Sequence, residues 1–166
     1  LMMLPYNRKP SALWATTHGL YGWDFAGEGE SEYVASAADK NPYALTAANT
    51  EEVFAKAKEL YTVNCAHCHG EKGDGNGPMV TAGSYTGAAV LSGLQIADGQ
   101  MFYSIYYGRN AMGAHNSLLN KKEIWTLVHY IKRFQDPKYG TFDVNGMPAV
   151  AGAPAAADTT KGAVTQ

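Results

Sequence analysis

The chain has few cysteines, no long apolar run and no excess of basic side chains. Its 166 residues include two cysteines, and 13 Lys and Arg against 15 Asp and Glu give a formal net charge of −2. Nucleic-acid binding requires clustered basic residues, so we expect no nucleic-acid partner. No apolar stretch approaches the roughly 20 residues that a membrane-spanning helix needs.

The sequence also lacks the patterns of several common enzyme classes. We find no phosphate-binding loop, no paired-carboxylate site and no Ser/His/Asp arrangement. No run alternates apolar and polar residues well enough to predict a sheet. No signal peptide is visible, and because the first residue is Leu1 we expect that a segment precedes it.

Composition divides the chain into three parts. Residues 1–49 mix aromatic and glycine residues without a sustained period, which predicts an extended, irregular arm that contacts a partner. Residues 50–143 carry helical patterns and form the expected folded domain. Residues 144–166 are rich in Ala, Gly, Pro and Thr, a composition typical of a tail without its own core.

Three helices are predicted within the folded domain. The first starts with a capping-box pattern at Asn49 and Glu52 and runs into the first cysteine. The second covers about residues 100–107 and ends at a glycine. The third starts with another capping box, Asn120 with Glu123, carries an apolar stripe and ends at an Asp-Pro pair.

Both cysteines lie in the segment Cys-Ala-His-Cys-His, residues 65–69. A structural zinc site needs four ligands, commonly as two short pairs, and a second Cys pair is absent. A redox dithiol is expected at the start of a helix after a strand, whereas here a helix precedes the pair. A disulfide across two intervening residues closes a very small loop and stabilises little.

Cys-x-x-Cys-His is also the signature of covalent c-type haem attachment. In that case Cys65 and Cys68 add to the two vinyl groups of one porphyrin, and His69 is placed under the iron as the proximal ligand. The sixth ligand of a one-electron carrier is usually Met or His. We predict Met112, which lies in the irregular loop between the second and third helices, with His115 as its rival.

With these motifs, the chain resembles class I cytochromes c over about residues 50–136. The resemblance implies an all-α fold in which the N- and C-terminal helices cross almost at right angles around one covalent haem c. It places Ala57 and Tyr61 against the last helix, where Trp125 and Tyr130 fit the family's pattern.

The resemblance also implies roles near the iron. The carbonyl of Pro78, in the glycine-rich loop, is expected to accept the N–H of the His69 ring and so to fix its orientation. Met112 is followed by Gly113 where many members have proline, so its loop is expected to be more mobile. The expected apolar shell that raises the reduction potential consists of Leu60, Tyr61, Ile105, Leu118, Trp125 and Leu127.

A less specific resemblance is to the monohaem subunit of bacterial alternative complex III, a quinol-oxidising respiratory assembly. It rests on the aromatic arm, on "LYTVNCAHCHGEKGDGNGP" and on "GRNAM". It implies a periplasmic electron carrier, not an enzyme, that receives electrons from a multihaem cytochrome and passes them toward a terminal oxidase. Membrane association is then expected through the complex, or through a lipidated cysteine before Leu1.

Three other functions remain open at this point. The chain is alternatively a free or oxidase-associated periplasmic cytochrome c, an open-site haem enzyme or gas sensor, or a structural interaction module. The near-neutral charge favours a docked subunit over a diffusing shuttle, because it gives little long-range steering. His129, beside the stripe of the third helix, is expected to face a partner.

Overall fold

The computed structural model describes residues 28–149, which form helices joined by turns and loops. The α-helices in this range are α1 (Glu28–Ala35), α2 (Thr50–Asn64), α3 (Ala66–His69), α4 (Pro78–Thr81), α5 (Asp98–Tyr107) and α6 (Lys121–Gln135). Two 3-10 turns span Ser36–Ala38 and Leu91–Gly93. Between residues 28 and 149 no β-strand forms, and pairing is limited to isolated bridges such as Arg109 with Met112. This part of the chain agrees with the predicted all-α class.

Helices α2 and α6 pack against each other at the centre of the domain. Ala57 of α2 and Leu127 of α6 have no exposed surface. The rings of Tyr61 in α2 and Tyr130 in α6 have centroids 5.1 Å apart, the contact that the resemblance implied. A small residue at position 57 lets the helices approach closely, while their crossing angle stays a prediction.

The two predicted capping boxes have different outcomes. At the start of α6, the Asn120 side chain accepts the N–H of Glu123, and the Glu123 carboxylate accepts the N–H of Asn120, both at 2.9 Å. At the start of α2 the prediction is wrong, because Asn49 makes no side-chain bond to the helix. Its amide instead accepts the N–H of Thr46 at 2.8 Å and donates to the Ala44 carbonyl at 3.1 Å. The Asn49 side chain is therefore hydrogen-bonded within the preceding turn and does not cap α2.

The segment before α2 is not irregular throughout, which corrects part of the prediction for residues 1–49. Helix α1 and the following 3-10 turn bury Tyr33, whose ring lies edge-on to Tyr103 of α5 with centroids 5.9 Å apart. Ser36 is fully buried, and its hydroxyl donates to the Tyr33 carbonyl at 2.6 Å. The predictions for residues 1–27 and 150–166, which include most of the aromatic arm and the tail, lie outside the described residues.

Gly99 in α5 provides the room for this segment. A Cβ at position 99 would overlap the carbonyl oxygen of Ser36 and lie 2.8 Å from the Cβ of Asp39. Residues 36–39 therefore rest directly on the backbone of α5. None of the helices within residues 28–149 is long and apolar enough to cross a bilayer.

Candidate functional site

The Cys-x-x-Cys-His segment forms a short helix directly after α2. Cys65 adopts a non-helical backbone between the two helices, and α3 carries Cys68 and His69. Cys65 is buried, whereas Cys68 and His69 are partly exposed. Both thiols are free, and burial, together with the nearby Cys68, raises the pKa of the Cys65 thiol to about 12. The segment thus presents two thiols and an imidazole within about one helical turn.

The glycine-rich loop holds this segment through its backbone. The N–H of Gly75 donates to the His69 carbonyl at 2.8 Å, and the N–H of Gly77 donates to the Cys68 carbonyl at 3.0 Å. These carbonyls lie at the end of α3, where a helix leaves its acceptors unpaired. A Cβ at Gly77 would overlap the backbone of His67. Glycine at this position therefore permits the close approach that the hydrogen bonds require.

The ring of His69 makes a different contact from the one predicted. Its Nδ1 lies 3.0 Å from the Ala89 carbonyl oxygen, while the Pro78 carbonyl accepts the N–H of Ala82 at 2.9 Å and the Thr81 hydroxyl at 3.2 Å. The structure thus pairs His69 with Ala89, and the role of Pro78 toward the proximal ligand stays a prediction. A carbonyl partner requires the proton on Nδ1, which leaves Nε2 as the basic atom for a metal.

Met112 lies on a tight turn that its backbone closes with Arg109. The N–H of Arg109 donates to the Met112 carbonyl at 3.0 Å, and the N–H of Met112 donates to the Arg109 carbonyl at 2.9 Å. The partly buried Met112 side chain packs against the apolar cluster that contains Cys65. The predicted thioether ligand and the first thiol therefore belong to the same cluster.

His115, the predicted rival of Met112, also lies close to the motif. Burial lowers the pKa of its ring, His67 and His69 lower it further, and the backbone groups of Gly113 and Asn64 oppose the shift. Its Nδ1 is buried, and no group among residues 28–149 hydrogen-bonds to it. His115 is thus near the motif, Met112 packs against the cluster that contains Cys65, and the choice of Met112 stays a prediction.

All but one of the residues expected in the apolar shell are buried, while their position around a haem stays a prediction. Leu118 is 70% exposed, whereas its neighbour Leu119 is buried. These leucines lie just before α6, where no helical period indicates which one points inward. The sequence reasoning missed Phe102, which is fully buried with its ring centroid 4.4 Å from that of Trp125. The other predicted shell residues are buried: Leu60, Tyr61, Ile105, Trp125 and Leu127.

His129 does not face a partner, which corrects that expectation. It is 2% exposed, with Nε2 2.6 Å from the Tyr43 carbonyl oxygen and Nδ1 2.8 Å from the Tyr139 hydroxyl. The carbonyl requires the proton on Nε2, so the Tyr139 hydroxyl donates to Nδ1. Burial lowers the pKa of this ring. His129 is therefore a neutral core residue that ties α6 to the loop before α2.

The donor groups fit a covalent haem. The free thiols of Cys65 and Cys68 and the His69 imidazole, with Nε2 available, lie in one short segment. Met112 packs against the apolar cluster that contains Cys65, and His115 lies near His67 and His69. Axial nitrogen and sulfur ligands are those of haem iron in electron carriers. Within residues 28–149, no three His, Cys, Asp or Glu side chains are grouped to hold a single metal ion, as a zinc site would require.

Comparison with known families agrees with this donor set. Residues 52–131 match the family model described as cytochrome C oxidase, cbb3-type, subunit III. The matched range contains the Cys-x-x-Cys-His segment, Met112 and most of α2 and α6. The match supports a class I c-type cytochrome domain with covalently bound haem c, and haem-based electron transfer with redox protein partners. The comparison with curated proteins gave no match.

Proposed function

We propose that this chain carries one electron at a time on a single haem c within a respiratory chain. Cys65 and Cys68 would hold the haem, with His69 and Met112 as the axial ligands of its iron. The observation that carries the proposal is the segment of Cys65 and helix α3, which presents two thiols and an imidazole within about one helical turn and enters the apolar cluster through Cys65. When bound, the haem supplies reversible one-electron chemistry.

The chain's own residues favour a carrier over an open-site enzyme or sensor. A second protein ligand, from Met112, would keep small ligands off the iron and would limit the change of geometry between oxidation states. The buried side chains of Phe102, Trp125 and Leu127 belong to the same apolar cluster as Cys65, and apolar surroundings would disfavour the extra charge of ferric haem. Partial exposure of Cys68 leaves one edge of the site open for electron exchange.

The proposed setting is a quinol-oxidising membrane complex of the alternative complex III type, on the periplasmic side of the membrane. The donor would be a multihaem cytochrome and the acceptor a terminal oxidase, with membrane association through the complex or through a lipid anchor upstream. The aromatic arm and the near-neutral charge support a docked subunit. A second candidate is a subunit of a terminal oxidase, which the description of the matched family favours.

The iron ligands are tested by Met112→Ala, expressed with the machinery for covalent haem attachment. The haem should stay bound through a denaturing gel, because both thiols remain. The near-infrared absorption of a thioether–iron bond should vanish, carbon monoxide should bind at once, and the reduction potential should fall. Met79→Ala is the matched control, since Met79 is partly exposed and lies just after the glycine-rich loop. Unchanged spectra and potential in Met112→Ala would rule out this ligand and turn the test to His115→Ala.

The setting is tested by purifying the full chain from its native membranes in mild detergent. Recovery with a multihaem or iron–sulfur quinol-oxidising partner is the expected result. Recovery with a terminal oxidase alone would favour the second candidate. A lone, monomeric cytochrome would contradict both candidates and support a free carrier.

A further inference from the structure

Tyr33 of helix α1 contacts Arg109, which lies in the same turn as Met112. The guanidinium carbon of Arg109 lies 3.5 Å from the centroid of the Tyr33 ring. The backbone of Arg109 exchanges two hydrogen bonds with that of Met112, at 3.0 and 2.9 Å. An arginine stacked on an aromatic face at this distance is held both by its charge and by its flat surface.

The Met112 turn is closed by its backbone bonds with Arg109, and the residues that flank it are glycines. It is flanked by Gly108, with φ +82°, and by Gly113, around whose Cβ position nothing lies within 4 Å. Asn110 within the turn has φ +51°, a conformation that few residues other than glycine adopt readily. Glycine on both sides lets the backbone reach other conformations easily. Side-chain contacts from outside the turn therefore limit where Met112 lies.

Tyr33, in contrast, is fixed from several sides. Its ring is 8% exposed and packs edge-on against Tyr103 of α5. Its carbonyl accepts the hydroxyl of the fully buried Ser36, in the segment that rests on the backbone at Gly99. Tyr33 is thus a fixed support that contacts the Met112 turn through Arg109.

We propose that Tyr33 is a positioning residue that holds the Met112 turn over the iron through Arg109. This inference rests on the proposed function, because it requires Met112 to be the sixth ligand. The segment before α2 then has a role inside the carrier itself, whatever partner the preceding residues contact. Without the Tyr33 ring, the turn opens more often and an added ligand reaches the iron sooner.

The test compares Tyr33→Leu with Tyr33→Phe in the haem-loaded protein. The measurements are the rate of imidazole binding to the ferric iron, the near-infrared thioether–iron absorption, and hydrogen exchange at the Met112 N–H. Tyr33→Leu should bind imidazole about tenfold faster, a factor in the range of one partly desolvated cation–π contact. Tyr33→Phe keeps the ring face and should bind at the wild-type rate.

A matched control lies in a separate apolar cluster. The guanidinium carbon of Arg133 lies 3.2 Å from the centroid of the Phe54 ring, and Phe54 is 6% exposed. Phe54→Leu removes the same type of contact at similar burial, so it should lower the melting temperature and leave imidazole binding unchanged. Equal acceleration in Phe54→Leu would show general loosening and overturn the proposal.

Failure of this inference is distinguishable from failure of the proposed function. If Tyr33→Leu binds imidazole at the wild-type rate and keeps the thioether–iron absorption, Tyr33 does not position the turn, although the carrier function stands. If the wild-type protein shows no such absorption, Met112 is not the ligand, so this inference and the proposed ligand set are both wrong, and His115 becomes the candidate for the sixth ligand of the carrier. Should Tyr33→Leu yield too little haem protein, Arg109→Met removes the charge from the same contact, and unchanged exchange at the Met112 N–H would overturn the proposal.

Discussion

His129 and His115 lie in two regions of the domain and differ in how completely their ring nitrogens are hydrogen-bonded. Both ring nitrogens of His129 have protein partners, the Tyr43 carbonyl and the Tyr139 hydroxyl. His115 has a buried Nδ1 to which no group within residues 28–149 hydrogen-bonds. Burial lowers the pKa of both rings, so burial alone does not distinguish them.

The surroundings of the two histidines differ in the same way. Around His129 the neighbouring residues are themselves packed within the protein. Tyr139, for example, lies edge-on to Phe54 with ring centroids 6.5 Å apart. Near His115 lie the histidines of the Cys-x-x-Cys-His segment, His67 and His69, and the backbone of Gly113, which follows Met112. Since buried polar groups in scaffolds are normally paired, the region around His115 is the one suited to a group that the chain does not itself supply.

The largest expected effect is in the region of the thiols. Gly77→Ala places a methyl group against the backbone of His67, which is not free to move because the loop and α3 share hydrogen bonds. We expect unfolding to become easier by about 3 kcal/mol or more, with a matching loss of covalently bound haem. Urea unfolding and haem staining of denaturing gels measure the two effects.

Gly93→Ala is the control for that substitution. Nothing lies within 4 Å of its Cβ position, so stability and haem content should stay at wild-type levels. If Gly77→Ala were as stable as Gly93→Ala, the close packing of the loop on α3 would be refuted.

A smaller effect is expected in the fully paired region. His129→Leu leaves the Tyr43 carbonyl and the Tyr139 hydroxyl without their partner, at a cost of about 2 kcal/mol. The haem spectrum and potential should stay unchanged, because this region supplies no ligand. His67→Leu makes the same exchange at an exposed position and should change stability by less than about 0.5 kcal/mol. A changed haem spectrum in His129→Leu would mean that the two regions are not independent.

Much of the site could be predicted because its signals are local. The spacing of Cys65, Cys68 and His69 follows from the chemistry of attachment, and α6 follows from its apolar stripe and the box formed by Asn120 and Glu123. In each case the residues that cause the structure lie within a few positions of one another. A pattern rule suffices for such features.

The features that escaped prediction depend on distant or competing contacts. Helix α1 has no strong apolar face, and the Tyr33 ring is covered by Tyr103 of α5 and by Arg109. The ring of His69 contacts the carbonyl of Ala89, which is 20 positions away in irregular backbone. Asn49 carries the same pattern as Asn120, but the preceding turn takes up its amide. In such cases the sequence spacing does not reveal which of several possible contacts a side chain makes.

The smallest expected effect is the pH dependence that His129 adds to stability. Burial lowers the pKa of its ring, so below the usual imidazole pKa of about 6.5 the unfolded chain binds more protons than the folded one. Stability should therefore fall as the pH drops from about 7.5 to 5.5. Protonation keeps the Nε2 bond to the Tyr43 carbonyl and disturbs only the bond from the Tyr139 hydroxyl, so the loss is smaller than in His129→Leu. Urea unfolding of both proteins over this interval measures the effect, and the difference between their slopes isolates His129 from His115. Equal slopes would show that His129 has the same pKa in the folded and unfolded chain, and that it does not differ from an exposed histidine in this respect.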